Sequence, residues 1–577
     1  MVMSAPVPRP AARILLLAAA LLAAGAGPAP AAAPQAAATQ ARGPAAGPRV
    51  TAAGAYLAGR LAAAESDTAN AALQFLEACR LAPDEPEVVS RAFLATVMDG
   101  RAEAVRLARR LPQNELAGIV LAGADAMAGR WERAEARLRQ LPPNGAAQVL
   151  QPLLLAWAQA GRGQTDAALA TLRPQIESGR LRGLAALHAA MIADLANRGA
   201  EAERLVRLAL AGSPEVNLRM VQIIAGILDR AGRKEEAGRM LQALAEGADD
   251  LSLLGTEAAR RALLRGRAVA SAVEGMAEAE LALAGAMRGQ GAPELTLLLS
   301  RMALRLRPDF TPALLVAADA LAEQKRPESA LALLRGAAED DPLAPVVALR
   351  RATLLDRAEQ PEAAVAALRA LASAHPESVL VPARLGDLLR GRERYAEAAE
   401  AYSTALARVG MRPAPSHWVL FYARGIALER SGDWKGAESD LQQALRLAPE
   451  QPYVLNYLGY TWVEKGENLA EARAMLERAA ALRPQDGNIA DSLGWALFKL
   501  GDLPAATQWM EKAVELESRN SVINDHLGDV YWASGRRMEA QYQWHRALTL
   551  GPEDGEGPRI AAKLRDGLPD AAAPVAR

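Results

Sequence analysis

Side chains that could support nucleophilic, acid-base or metal chemistry are few in this sequence. None of the five histidines stands in an HExxH pattern, the spacing that places two metal-binding imidazoles on one helix face. The histidines are His188, His375, His417, His526 and His545. A metal site at His526 and His545, beside Asp525 and Asp529, is the alternative to two solvated histidines, which we expect. We predict no catalytic residue, no metal and no cofactor.

The single cysteine, Cys79, excludes an intramolecular disulfide and a cysteine-based zinc cluster. It lies next to Ala78 and near Leu76, a pattern typical of a packing helix. A free cysteine in that setting is usually a small buried hydrophobe. No glycine-rich phosphate loop follows a strand pattern either. The sequence therefore predicts a protein that is not an enzyme.

Aromatic side chains are concentrated in the last third of the chain. Seven of the nine tryptophans lie between Trp418 and Trp544, and eight of the nine tyrosines lie at or after Tyr395. Aromatic residues are common anchors of protein interfaces. We therefore expect the last third to carry an interaction surface.

Composition indicates which elements position these side chains. Of the 577 residues, 51% are hydrophobic but only 4% are aromatic, so the apolar content is mostly alanine and leucine, which favour helices. The 66 basic and 67 acidic residues give a net charge of −1. That balance argues against a nucleic-acid-binding protein, which needs a basic excess.

A repeat of 34 to 35 residues organises the C-terminal part. Three units align as Leu458-Gly459, Ala472, Ala479 and Pro484; Leu493-Gly494, Ala506, Ala513 and Ser518; and Leu527-Gly528, Ala540, Ala547 and Pro552. Small residues at these positions allow two antiparallel helices to approach closely. Gly432, Gly501 and Gly535 are expected to end the first helix of a unit, called helix A, and the proline follows the second, helix B.

These positions resemble the consensus of the tetratricopeptide repeat. The resemblance implies an all-α fold, a right-handed α-solenoid superhelix of helix-turn-helix repeats. We predict eight repeats over 277–554 and degenerate repeats over 51–276. Residues 555–577 are expected to form a capping helix, near Pro558 to Leu564, and a disordered tail.

In arrays of this family, one face of helix A lines a concave groove that binds partners. The resemblance implies that this face carries ten residues here, continued upstream by Glu429. They are Tyr422, Tyr453, Asn456, Tyr460, Asp491, Trp495, Phe498, Asp525, Asp529 and Trp532. We expect the tyrosine, tryptophan, asparagine and aspartate side chains among them to be at least partly exposed. The alternative for Phe498 and Trp532 is that they only fill the gap to a neighbouring helix A, and the same alternative applies to Tyr460 and Trp495.

The carboxylate clamp of chaperone-binding members is absent, because the corresponding positions carry aspartate, tyrosine or tryptophan. A C-terminal acidic peptide is therefore not the expected ligand. A segment with basic or apolar side chains suits this face better.

The N-terminus has the features of an export signal. Arg9 and Arg13 precede an apolar run of about 13 residues, too short to span a bilayer. Ala29-Pro30-Ala31 then offers a cleavage site, so residues 1–31 are predicted to be a signal peptide. Residues 32–50 are predicted to be a flexible leader rich in alanine, proline and glycine. We expect a periplasmic or otherwise exported protein, with no transmembrane span and possible peripheral association with the envelope.

The predicted function is a non-catalytic scaffold or adaptor of the bacterial cell envelope that binds partner proteins. The plan is similar to that of bacterial envelope repeat proteins, including the adaptor lipoproteins of carboxy-terminal processing proteases. That resemblance implies an envelope protease and its substrates as partners, although no lipid-attachment cysteine follows the apolar run. The alternative is a structural component of an envelope export or assembly machine.

Overall fold

A computed structural model describes residues 50–568, except 143–146, 180, 214–216, 248 and 554. The predicted signal peptide, nearly all of the predicted leader and the end of the predicted tail lie outside these residues. The described part forms thirty α-helices and no β-strand. The prediction of an all-α fold built from helix-turn-helix pairs is confirmed. The helices form two compact units, residues 1–375 and 376–577.

Unit 1 contains nineteen of these helices and a 3₁₀-helix at Asp249–Leu254. Its α-helices are α1 (Ala52–Ala64), α2 (Thr68–Leu81), α3 (Pro86–Met98), α4 (Glu103–Ala108), α5 (Glu115–Met127), α6 (Trp131–Arg139), α7 (Ala147–Gly161), α8 (Thr165–Ser178), α9 (Arg182–Leu195), α10 (Gly199–Gly212), α11 (Leu218–Arg230), α12 (Lys234–Gly247), α13 (Glu257–Leu263), α14 (Ala272–Met287), α15 (Pro293–Leu306), α16 (Thr311–Glu323), α17 (Pro327–Leu334), α18 (Ala344–Arg357) and α19 (Pro361–Ala374).

Unit 2 contains eleven α-helices and a 3₁₀-helix at Pro415–His417. They are α20 (Leu380–Gly391), α21 (Tyr395–Val409), α22 (Trp418–Arg430), α23 (Trp434–Leu447), α24 (Pro452–Lys465), α25 (Leu469–Leu482), α26 (Gly487–Lys499), α27 (Leu503–Leu516), α28 (Ser521–Ala533), α29 (Arg537–Thr549) and α30 (Glu556–Asp566). In the four hairpins between α22 and α29, the even-numbered helix is helix A and the odd-numbered one is helix B.

The helix ends of unit 2 follow from local chemistry. Asp502 and Asn520 cap α27 and α28, because their side chains accept hydrogen bonds from free N–H groups of the first turn. Gly432, Gly501 and Gly535 follow α22, α26 and α28 with φ between 81° and 93°. Only glycine adopts this left-handed backbone without strain, so the predicted ends of helix A are confirmed.

Helix A and helix B of each hairpin meet at the predicted small residues. A Cβ atom on Gly494 would lie 2.9 Å from Cγ of Met510, and one on Gly528 would lie 2.4 Å from the Trp544 ring. Ala506 and Ala513 are fully buried. The regular spacing of small residues in the sequence therefore corresponds to the positions where the two helices pack closely.

Unit 1 departs from a simple row of hairpins. Helices α14 and α15 pack against α3, α5, α7 and α9, the first helices of four successive earlier hairpins. A Cβ on Gly275 of α14 would lie 2.2 Å from the Trp157 ring of α7, so the approach is very close. Trp157 is fully buried and its Nε1 donates to Nδ1 of His188 at 2.9 Å.

This hairpin covers the face of those first helices where a partner groove would lie. One of its charged groups is paired across the contact, because Glu278 of α14 forms an ion pair with Arg219 of α11. The repeat pattern divides the chain at 276/277, but the compact units divide at 375/376. The hairpin predicted to open the regular array thus belongs to the core of unit 1.

Candidate partner-binding groove

The inner face of unit 2 is formed by helices α22, α24, α26 and α28, which carry all ten predicted groove residues. Six of these residues are partly or well exposed: Tyr422, Tyr453, Asn456, Tyr460, Trp495 and Trp532. Four are buried: Asp491, Phe498, Asp525 and Asp529. The expectation that Asp491, Asp525 and Asp529 are partly exposed is therefore wrong.

Helix α30 is the reason that two of the carboxylates are buried. Nζ of Lys563 lies 2.8 Å from the carboxylates of both Asp525 and Asp529. Arg559, one turn earlier, donates to Asp525 at 3.2 Å. Residues at i and i+4 share one face of a helix. Helix α30 therefore places its basic face against the acidic end of the predicted groove. We call this end, which contains Asp525, Asp529 and Lys563, the closed end.

Burial of this cluster perturbs its ionisation. Desolvation raises the pKa of Asp529, and the nearby Asp525 carboxylate raises it further, whereas Lys563 lowers it. Asp529 also accepts a hydrogen bond from Nε1 of Trp544 at 2.8 Å. The closed end is thus a paired, hydrogen-bonded network with the ammonium group as its central cation.

Trp532 belongs to the same end. Its ring lies 5.3 Å from that of Trp544, and a Cβ on Gly567, just after α30, would lie 2.1 Å from it. Helix α30 and the residue that follows it therefore cover Trp532. These contacts are with helix B of the same hairpin and with the residue after α30, whereas the alternative for Trp532 was a contact with a neighbouring helix A.

His526 is buried, so the expectation that it is solvated is wrong. Its Nδ1 lies 3.0 Å from the Asp491 carboxylate, and its ring stacks on Trp495 with the centroids 4.1 Å apart. Desolvation opposes protonation of His526, but Asp491 outweighs it and raises the pKa above the usual value. Asp491 therefore orients a histidine in the protein interior and, with Asp529 and Asp525, favours its protonated form.

The partly exposed residues outside the closed end form what we call the open strip: Tyr422, Tyr453, Asn456, Tyr460 and Trp495. Tyr453 is 42% exposed and lies under the Arg483 guanidinium. Tyr422 meets the ring of Tyr457 edge to face, with the centroids 6.0 Å apart. The aromatic surface therefore runs across two successive A helices.

Carboxylates accompany these rings. The Tyr457 hydroxyl donates to Glu429 at 3.1 Å, and Nε1 of Trp495 donates to Glu464 at 2.6 Å. Burial raises the pKa of Tyr460, and the carboxylates of Glu464 and Asp491 add to this. The open strip therefore combines half-exposed rings with the carboxylates of Glu429 and Glu464, and Lys499 lies 3.9 Å from Glu464 at its edge.

Asn456 has an unused acceptor at the centre of the strip. Its Oδ1 is shielded from solvent and has no hydrogen-bond partner among the residues that the structure describes. A shielded polar atom without a partner costs free energy, about 1–3 kcal/mol. A donor from a bound segment, such as a backbone N–H, would satisfy it.

Sequence reasoning missed the role of Lys563 and Arg559. It predicted the capping helix but not its position on the inner face. The available signal was a pair of basic residues four apart in a C-terminal segment, combined with the acidic pair Asp525 and Asp529 in the last repeat.

The described residues contain no cluster of side chains that could bind a metal ion. No group of three histidine, cysteine or carboxylate side chains there is arranged to hold an ion. Across the same ranges, each helix is too short or too polar for a membrane crossing.

Comparison with known proteins matches part of the repeat region to a family. Residues 349–416, 422–486 and 464–521 match the family described as Tetratricopeptide repeat. The chain is 31% identical over 120 residues to the TPR repeat-containing protein PA4667 of Pseudomonas aeruginosa. That match covers 21% of this chain and 20% of the relative, so the chain spans about a fifth of the relative's length.

Several solved structures of repeat proteins are similar to segments of this chain. A tetratricopeptide repeat protein from Parabacteroides merdae is 17% identical, with a TM-score of 0.36, covering 44% of this chain and 96% of that one. The thermophilic TPR protein TTC0263 of Thermus thermophilus is 22% identical, with a TM-score of 0.28, covering 32% and 97%. YrrB, described as a TPR protein with an unusual peptide-binding site, is 19% identical, with a TM-score of 0.27, covering 34% and 97%.

Proposed function

We propose that the chain is a tetratricopeptide repeat protein that acts as a non-catalytic scaffold and holds a partner protein on the open strip of unit 2. Repeats of this kind stack into extended surfaces suited to binding other proteins. In unit 1 the corresponding face is covered by α14 and α15. The open strip is therefore the better candidate for an external partner.

One observation carries the proposal. The chain's own helix α30 already docks on this face by placing Lys563 between two carboxylates. The face thus accepts a basic helix in its own structure. The adjoining strip continues the same chemistry through Glu464 and Glu429, with aromatic rings between them.

The expected ligand is a segment that carries lysine or arginine together with apolar side chains. Its cations would face Glu464 and Glu429, and its apolar groups would pack on Tyr453, Tyr460 and Trp495. One of its N–H groups would donate to Oδ1 of Asn456, which has no other donor in the described structure. An acidic segment would be repelled.

The cellular setting is also proposed. The export-signal features of residues 1–31 favour the bacterial envelope, and the resemblance to envelope adaptors favours a role in presenting substrates to a protease. A component of an export or assembly machine would carry the same signal. Its bound partners would be envelope-embedded subunits instead.

Capture of partners from envelope extracts tests the proposal when it is made with matched variants. Tyr453→Ala combined with Asn456→Ala removes an exposed ring and the unused acceptor. Tyr542→Ala removes a ring that is 64% exposed on α29, outside the open strip. Each lost anchor is worth about 1–2 kcal/mol of binding, so capture by the double variant should fall by at least tenfold.

The control variant should capture partners as the wild type does. Identification of the captured proteins then separates a protease and its substrates from envelope-embedded subunits. Undiminished capture by a folded double variant would refute the open strip as the binding surface.

A further inference from the structure

A cavity in unit 1 carries positive charge that the fold does not neutralise. It has a volume of about 510 Å³ and lies between the start of α2, the turn after α3, and helices α15 and α17. Arg301 and Arg305 of α15 line it, together with Thr68, Asp99, Leu333 and others. The volume is within the range of sites for small molecules, about 300–1,000 Å³.

The two guanidinium groups have few partners. Nε of Arg301 and Nε of Arg305 are shielded from solvent and have no hydrogen-bond partner among the described residues. Arg305 donates one hydrogen bond, from Nη1 to the Arg101 carbonyl oxygen, at 3.3 Å. Over the described part of the chain, neither arginine has a carboxylate within ion-pair distance. The fold therefore holds two arginines side by side without counter-ions.

The nearest carboxylates do not supply the missing charge. Asp99 accepts a hydrogen bond from Nε of Arg101 at 2.6 Å and another from the Thr68 hydroxyl at 3.5 Å. Its charge is thus matched by Arg101. Glu280 lies near Arg305, but burial raises its pKa well above the usual range and one of its oxygens is unpaired.

Other features of the wall suit an amphipathic anion. Thr68 and Ala69 begin α2 and line the wall, and the N-cap carboxylate of Asp67 beside them is taken up by the Asn70 N–H and by Arg326. Leu304, Leu314 and Leu333 supply apolar surface beside the arginines. Desolvation lowers the pKa of both Arg301 and Arg305, and an anion in the cavity would reverse that penalty.

We propose that this cavity binds a small organic anion, whose carboxylate or phosphate group pairs with Arg301 and Arg305 and whose apolar part lies on the leucines. Planar guanidinium groups match the geometry of both oxyanions. The site is separate from the open strip of unit 2. Its occupancy would stabilise the contact between α15 and the early hairpins, because Arg301 and Arg305 face the turn after α3.

Calorimetric titration of the full chain at low ionic strength tests the site with three probes: inorganic phosphate, hexanoate and hexanol. Hexanoate or phosphate should bind, and hexanol should bind at least tenfold more weakly than hexanoate. Stronger binding of hexanoate than phosphate identifies a carboxylate with an apolar chain. The reverse order identifies a phosphate compound. Equal binding of hexanol and hexanoate, or no binding of either anion, overturns the proposal.

Variants locate the binding. Arg301→Gln should weaken binding of the anion by at least tenfold, whereas Arg335→Gln removes the same charge from an exposed residue outside the cavity and should leave binding unchanged. Ala332→Phe fills the cavity from an exposed position while keeping both arginines, so it should also abolish binding. Ala332→Phe provides the test of the site if Arg301→Gln does not fold. Binding that survives in both folded variants overturns the assignment.

Discussion

Lys563 lies between Asp525 and Asp529, with its ammonium nitrogen 2.8 Å from both carboxylates. The lysine is on the last helix and the two aspartates are on α28, 34 and 38 residues earlier in the chain. This contact turns the acidic end of the inner face into a docking site for the chain's own terminus. It also makes the stability of the last repeat depend on Lys563, the cation that contacts both carboxylates.

We expect Lys563→Met to destabilise the last hairpin and α30. Removing one partner from a buried ionic cluster leaves uncompensated charge and costs about 3–5 kcal/mol. Hydrogen exchange should show the loss in α28, α29 and α30. Lys435→Met, which removes an exposed lysine of α23, is the control and should change exchange little.

The same variant should recover stability as the pH falls. Asp529 has a raised pKa in the folded state, so its protonated form is favoured by folding. The penalty from its charge is absent below the unfolded value of about 3.8 and grows as the pH rises through the folded pKa. The difference in unfolding free energy between wild type and Lys563→Met should therefore be smaller at pH 4.5 than at pH 7. A difference independent of pH would contradict this.

His526 should make unit 2 more stable in mild acid than in mild base. Its pKa is raised by Asp491 against the opposing effect of burial. The stabilisation is fully present below the unfolded pKa of about 6.5 and is lost as the pH rises through the folded pKa. Each tenfold gain in proton affinity on folding contributes about 1.4 kcal/mol. The contribution of His526 to the free energy of unfolding is measured by urea unfolding of the wild type and of His526→Gln between pH 6 and pH 9. The stability advantage of the wild type should shrink as the pH rises.

Gly275→Ala should disrupt the hairpin that covers the inner face of unit 1. The added Cβ would meet the Trp157 ring at 2.2 Å, and overpacking of this kind costs about 1–3 kcal/mol. Gly285→Ala on the same helix has open space around it, so it should stabilise by about 0.5–1 kcal/mol through helix propensity. Thermal unfolding should move in opposite directions for the two variants. Equal shifts would refute the close contact.

Ala506→Leu should loosen the C-terminal hairpins of unit 2. Ala506 is fully buried where α27 meets α26, and a larger side chain there costs about 1–3 kcal/mol. Because coupling in a repeat array is mostly between neighbours, the faster hydrogen exchange should be confined to α24–α30. Uniform loosening of every helix in unit 2 would argue against this.

Export remains a prediction from the sequence, because residues 1–31 lie outside the described residues. N-terminal sequencing of the mature protein should begin near Ala32, after the Ala29-Pro30-Ala31 site. A mature chain that retains Met1 in the cytoplasm would refute the envelope assignment.

The repeat in unit 2 could be predicted from the sequence because its spacing is a local packing requirement. Gly494, Ala506 and Ala513 lie where two neighbouring helices touch, and Gly501 supplies the left-handed turn that only glycine adopts easily. These requirements act within about 35 residues. The residue types that meet these requirements therefore recur at a regular spacing along the chain.

Which groove residues are exposed was decided by contacts between distant segments. The periodicity correctly placed Asp491, Asp525 and Asp529 on the inner face. It carried no information on His526 pairing with Asp491, or on Lys563 covering the two aspartates, because each contact joins two different repeats or a repeat and the terminus. A carboxylate on such a face is free or buried according to what folds over it.

The same reason explains unit 1. The sequence by itself determined that a pair of helices occupies the unit that begins near residue 277, since helix propensity and periodicity are local properties. Only the tertiary structure decided that α14 and α15 lie across α3, α5, α7 and α9 and bring Arg301 and Arg305 to the turn after α3. Packing between elements 100 or more residues apart depends on the fit of whole surfaces, as between Gly275 and Trp157. Such a fit produces no regular spacing of residues in the sequence, so it could not be predicted from the sequence pattern.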